Sequence, residues 1–261
     1  MGTLEVVVNH IGRDDLQKVV EGIWTTGLKG SQQAATFPAQ LNQNPASSAL
    51  RRGTTATASA VHQLVSEGLV DPDEIGIIGF SRTCYYVMYI LEMLAPSSVH
   101  FKAASVNDGW IQAYLNYVLW LDPTEGAANH FNSIIGAPPF GAGLRLWLER
   151  SPGFNLDKVK TPLLVVSGHG RADLAFNMWE PYAGLRYLHK PVELLVLNTD
   201  EHILTNPAVR MASQGGSVDW FRFWLQGYED SDPAKKEQYV RWRELRKLQE
   251  ENEKKSAAPA N

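Results

Sequence analysis

The chain has 261 residues, 44% of them hydrophobic and 20% charged, with 24 Lys+Arg against 28 Asp+Glu for a formal charge of −4. That length buries a sizeable core in one large α/β domain or two small ones, and mild acidity without a basic stripe argues against a nucleic-acid partner. A single cysteine, Cys84, excludes a disulfide framework and a cysteine-rich zinc site, and no apolar run approaches the roughly 18–20 residues of a membrane span.

In chain order, Leu4 to Val8 is a short β-branched run ending in Asn9-His10-Ile11-Gly12, and Asp14 to Thr25 has a helical pattern. The N-terminus, Met1-Gly2-Thr3-Leu4-Glu5, lacks the basic and then apolar regions of a signal peptide, so a cytoplasmic protein with no membrane partner is expected. Residues 30–57 turn polar and read as a poorly ordered loop. Val61, Leu64 and Val65 then fall at helical spacing, with Gly68 as the stop. Ile75 to Gly79 is continuously apolar, as expected of a strand buried on both faces of a parallel sheet. Cys84 to Leu94 reads as a buried helix in which Cys84 is a small hydrophobe. Phe101 to Val106, Leu163 to Ser167 and Val192 to Leu197 are further buried strands, with a helix over Glu180 to His189 between the last two. Strands alternating with helices in this way predict βαβ units.

Residues 108–149 interrupt the rhythm with Trp, Tyr, Asn, Gly and Pro, and read as a lid-like insertion or a helical excursion with structural aromatics. Val209 to Leu225 is a helix that Gly215-Gly216 should break in two. After residue 228, Lys235 to Lys255 forms a charged helix with Glu237, Arg241, Glu244 and Lys247 at pairing distance, followed by a frayed tail. The division expected is therefore a catalytic-type unit over 1–228 and a charged helix with its tail over 229–261.

Chemistry concentrates at Ile75-Gly-Ile-Ile-Gly79-Phe80-Ser81-Arg82-Thr83. A buried strand runs directly into a helix with Ser81 at the corner, the context of a nucleophile elbow. Gly79 supplies the small neighbour two residues before the serine. Thr83 stands where a second glycine is usual, so the motif is G-x-S-x-T. At a helix N-terminus the Arg82 N–H is placed to donate to a developing oxyanion. The competing reading of Ser81 is a helix N-cap.

A serine hydroxyl needs a base, and in this strand–helix arrangement the base follows the acid along the chain. His202, in the loop directly after Val192 to Leu197, is the candidate; His169 falls before the acid and His189 ends a helix beside Lys190-Pro191. For the acid, Asp173 in the loop after Leu163 to Ser167 fits, with Glu180 as its rival. The histidines lack paired spacing, and Gly136 to Gly143 contains Pro138-Pro139 without a Lys-Ser/Thr ending, so neither a metal nor a cofactor is expected.

Four stretches resemble the catalytic domain of the prolyl oligopeptidase family of serine peptidases. They are Gly68 to Arg82, Phe101 to Ala104, Ser151 to Gly168, and Lys190 to Leu225 through Asp200-Glu201-His202. Ser81-Arg82-Thr83 and Trp220-Phe-Arg-Phe-Trp-Leu225 are most similar to bacterial dipeptidyl-peptidase-like enzymes, a group that includes the lasso-peptide isopeptidases. The resemblance implies an α/β-hydrolase fold, a mostly parallel sheet flanked by helices, and peptide-bond hydrolysis through an acyl-enzyme. Ser81 attacks, His202 shuttles the proton, and Asp173 holds the imidazole, with Glu180 kept open because some isopeptidases use glutamate. Two departures matter: no stretch resembles the family's N-terminal propeller, and Leu4 to Val8 is the one clear strand before Ser81. An N-terminally truncated sheet is therefore expected, and a second oxyanion donor is not identified; Asn9 to Gly12 is a minor candidate for it. The partner expected is a peptide substrate. A carboxylic-ester hydrolase and a catalytically impaired remnant are the alternatives.

Overall fold

The computed structural model describes residues 4–8, 45–93, 99–119, 126–168 and 172–257. Five strands form one sheet in sequence order: β1 (Leu4–Val8), β2 (Ile75–Phe80), β3 (Ala103–Asn107), β4 (Leu163–Gly168) and β5 (Val192–Leu197). β1 runs antiparallel to β2, with Val6 opposite Ile77. The other four strands are parallel. Each of the five expected strands is present to within two residues at either end. The helices are α1 (Pro45–Ser66), α2 (Thr83–Met93), α3 (Tyr114–Leu119), α4 (Gly126–Ile135), α5 (Leu144–Arg150), α6 (Ala172–Tyr187), α7 (Pro207–Arg210), α8 (Gly216–Gln226) and α9 (Lys236–Ala257).

Parallel strands are covered on both faces, and alternation along β4 shows how. Leu163 and Val165 point into a core with Ile75, Ile77, Val106 and Val192, closed by Val61 and Leu64 of α1, Val87 and Met88 of α2, and Met178 and Leu185 of α6. Leu164 and Val166 point the opposite way. They meet Trp220, Phe223 and Trp224 of α8 and Tyr239 and Trp242 of α9. Gly76 leaves the space that the Phe221 ring fills, since a Cβ there would sit 2.6 Å from its Cδ1. A third cluster, Tyr85, Tyr117, Phe131, Ile135 and Trp147, fastens α3, α4 and α5 to the elbow helix α2.

Three expectations are corrected. The polar stretch read as a loop through Thr57 is helical from Pro45. Its buried positions at Thr54, Thr57, Val61 and Leu64 keep helical spacing, but threonine occupies the first two, so no apolar stripe marks the helix. Its end is as read: Gly68 adopts φ 70°, and the N–H groups of Gly68 and Leu69 donate to Val65 and Leu64 in a Schellman closure. Gly215-Gly216 does not break the chain. The backbone stays right-handed through a single π turn, Met211–Gly215, that joins α7 to α8. α6 begins eight residues before Glu180 and continues through Pro181. The helical pattern of Asp14 to Thr25 lies outside the described residues. Among those described, no helix is long and apolar enough to cross a membrane.

Candidate active site

β2 ends at Phe80 and α2 begins at Thr83, so two residues make the corner. Ser81 takes φ 57°, a left-handed conformation that costs a non-glycine residue on the order of 1–3 kcal/mol and persists where surrounding bonds over-determine it. Here they do. The Ser81 N–H donates to the Asn107 carbonyl at 3.0 Å, and the Cys84 N–H donates to the Ser81 carbonyl at 3.1 Å. Thr83, the departure from the glycine pattern, has a constructive part. Its hydroxyl donates to the Phe80 carbonyl at 2.7 Å and accepts the Phe80 N–H at 2.9 Å, clamping the strand end. Gly79 is required because a Cβ would lie 2.8 Å from Val87 and 2.9 Å from the Thr83 carbonyl. Cys84 is fully buried, as expected, with its thiol on the Asn107 carbonyl.

The neighbouring strand β3 ends in the same way. Asp108 comes directly after it with φ 46° and donates its N–H to Val166 at 2.8 Å. Gly109 is next, pressed so closely on Ser81 and Cys84 that a Cβ would overlap the Ser81 carbonyl. Asn107 braces both corners, its amide donating to the Gly79 carbonyl at 3.2 Å and to Ser105 Oγ at 3.1 Å. Two strand ends thus place a hydroxyl and a carboxylate side by side.

The third side chain comes from the loop after β5. Glu201 folds that loop by accepting the Thr205 N–H at 2.7 Å, while its own N–H donates to Thr199 Oγ1. His202 then reaches both corners. Its Nε2 lies 2.8 Å from Ser81 Oγ and its Nδ1 lies 2.6 Å from Asp108 Oδ2. The imidazole stacks on Phe80 with centroids 4.9 Å apart. An ionised carboxylate only accepts, so Asp108 selects the tautomer with hydrogen on Nδ1 and leaves the Nε2 lone pair facing the serine. The arrangement can withdraw a proton from Ser81 and return it elsewhere. The Arg82 N–H, at the start of the helix, meets no acceptor among the described residues.

The structure therefore joins Ser81 to His202, as the sequence suggests, but corrects the acid. With Ser81 on one ring nitrogen and Asp108 on the other, the orienting position belongs to Asp108 and not to Asp173, which falls in the first turn of α6. Glu180 is engaged elsewhere: its carboxylate accepts the Leu115 N–H at 3.1 Å near the start of α3, and burial pushes its pKa up to about 7. His189 closes a turn at the far end of α6 with φ 53°. His169 and the alternative oxyanion loop Asn9 to Gly12 lie outside the described residues. Asp108 has a readable signal of its own: Asn107-Asp108-Gly109 comes directly after a buried strand, at the same end of the sheet as Ser81. Composition alone merges it with the insertion over 108–149. Among the described residues no cluster of His, Cys, Asp or Glu could hold a metal ion.

A parallel sheet with flanking helices and a serine at a left-handed strand-to-helix corner defines the α/β-hydrolase fold, and solved structures of that kind superpose on it. No protein-family model matches the chain. Over 200 residues, 76% of this chain and 27% of its relative, the sequence is 30% identical to lasso peptide isopeptidase AtxE2 of Asticcacaulis excentricus. The AtxE2 isopeptidase structure without ligand matches with a TM-score of 0.64 at 26% identity, covering 78% of this chain and 31% of that one. A serine-to-alanine variant with Astexin3-dC4 bound matches at 0.62. The acylaminoacyl peptidase of Pyrococcus horikoshii shares the fold, with a TM-score of 0.56 at 21% identity over 70% of this chain and 29% of that one. The chain spans about a third or less of the length of these relatives. It is a homologue of the serine-type peptidases of the prolyl oligopeptidase family, matched over their catalytic-domain part.

Proposed function

We propose that this chain hydrolyses amide bonds of peptides through an acyl-enzyme on Ser81, with His202 as general base and acid and Asp108 as the residue that orients it. The observation that carries the reading is the continuous relay Asp108 Oδ2–His202 Nδ1 at 2.6 Å and His202 Nε2–Ser81 Oγ at 2.8 Å. As Ser81 Oγ bonds to the substrate carbonyl carbon, its proton passes to Nε2, and the carbonyl π electrons move onto oxygen. The Arg82 N–H and the helix dipole stabilise that oxyanion, an interaction worth about 10²–10³ in rate for each donor. Collapse breaks the C–N bond, and His202 gives its proton to the departing amine. Water then repeats the sequence on the ester, releasing the acid and restoring Ser81. The similarity to a lasso peptide isopeptidase supports including isopeptide-linked rings among the substrates to be tried.

A fluorophosphonate probe tests this directly. We expect stoichiometric labelling at Ser81, found by peptide mass mapping, and none in Ser81→Ala. Folded protein that stays unlabelled contradicts the proposal. Matched panels of linear peptides, isopeptide-linked peptides and p-nitrophenyl esters then assign the bond class, and turnover of esters with no amide cleaved overturns the peptidase reading.

A further inference from the structure

Ser81 and Asp108 hold the His202 imidazole at its two nitrogens. Bonds at those points leave one freedom, because the ring can still tilt about the line from Nδ1 to Nε2. The side chain lying across that tilt is Phe80. Its ring faces the imidazole with centroids 4.9 Å apart and planes 21° from parallel, a stacked contact. Phe80 is fixed in turn. It is the last residue of β2, and the Thr83 hydroxyl grips both of its backbone polar groups, the N–H at 2.9 Å and the carbonyl at 2.7 Å. Alternation along β2 turns Ile75 and Ile77 into one core and Ile78 into the other, so Phe80 falls on the α8 side with Ile78. Among the described residues, however, its half-buried ring joins none of the three apolar clusters. The loop that carries His202 folds on itself through Glu201 and Thr205 and is open to solvent at Ile203, 65% exposed. The orientation of the imidazole is therefore set by Phe80 beside it and not by core packing of its own loop.

We infer that Phe80 is a positioning residue for His202: its ring fixes the tilt of the imidazole and stabilises the imidazolium that forms when Ser81 gives up its proton. The inference rests on the reading of Ser81 as nucleophile and His202 as base. The face of an aromatic ring is the negative end of its quadrupole and attracts a cation. Neutral imidazole gains only the stacking contact, so the interaction strengthens as charge develops, which is the condition for lowering a barrier. An aliphatic side chain at this position supplies apolar area with neither the flat face nor the quadrupole.

The test compares the full chain with Phe80→Leu and Phe80→Tyr, each first shown to be folded by circular dichroism and thermal melting; Phe80→Met replaces Phe80→Leu if the latter does not fold. The second-order rate of fluorophosphonate modification at Ser81 is expected to fall about 3- to 30-fold in Phe80→Leu and to recover to within about 2-fold of the parent in Phe80→Tyr. On one peptide substrate kcat should fall in step while KM stays within about 2-fold, as for an interaction that grows in the transition state. The downfield proton resonance of His202 Nδ1–H, assigned by its loss in His202→Ala, gives a readout that needs no turnover. It should be sharp in the parent and in Phe80→Tyr and broadened in Phe80→Leu. Modification of the folded non-aromatic variant at the parent rate overturns the inference, and so does a Phe80→Tyr chain as slow as that variant. Absence of labelling in the parent would instead count against the nucleophile, and the resonance comparison would then decide by itself whether Phe80 orients the ring.

Discussion

Ser81, Asp108 and His202 are supplied by three different strand ends, and the two corner residues both adopt positive φ without being glycine. Strain of that kind is retained where function requires a side chain to be aimed. Asparagine at 108 would keep the shape but present an amide that no longer holds imidazole in the required tautomer. We therefore expect Asp108→Asn to lower kcat/KM about 10³–10⁴-fold, with Asp173→Asn within a few-fold of the parent, measured on one peptide substrate. Gly109→Ala should cost both labelling and stability, because its methyl group overlaps the Ser81 carbonyl. The pairing of Ser81 with His202 is legible from position alone: one stands after a glycine-spaced buried strand, the other after the last strand. The place of Asp108 on the other ring nitrogen is not, because it belongs to a short corner that composition merges with the aromatic segment after it.

At the scale of elements, buried parallel strands are the most readable part of the chain, since covering both faces leaves a continuous apolar run. α1 is half hidden because threonine, not leucine, is buried at positions 54 and 57. α9 shows the converse. Its sequence is dominated by charge, yet Tyr239 and Trp242 are buried against Trp220 and Phe223, and Arg241 ties it to Glu193 of β5 at 3.0 Å. The apolar stripe is two aromatics wide, too narrow to stand out among lysines and glutamates. Trp242→Ala should destabilise the fold by about 3–5 kcal/mol in urea unfolding, the range for truncating a buried tryptophan. Trp242→Phe should cost much less, because the indole N–H is buried without a hydrogen-bond partner among the described residues.

For the molecule as a whole, the sheet places all three side chains at the carboxyl ends of its parallel strands, where open α/β sheets carry their sites. Two desolvated acids set a pH trend for the entire fold. Burial raises Glu180 to about 7 and lifts Glu92 well above the carboxylate range. A carboxyl whose folded pKa exceeds its unfolded value holds its proton longer when folded, so stability falls as pH rises between the two values. For Glu180 that window runs from about 4.5 to about 7. Glu180→Gln can still accept the Leu115 N–H. Its melting temperature should therefore exceed that of the parent at pH 8, with the gain shrinking toward pH 4.5. The proposed activity rests on Ser81 being made nucleophilic by an imidazole that Asp108 holds. The most direct check is the second-order rate of fluorophosphonate modification at Ser81 in the parent, His202→Ala and Asp108→Asn chains. We predict rapid modification of the parent and losses of about 10³-fold or more in both variants; equal rates in all three would show that the relay does not activate the serine.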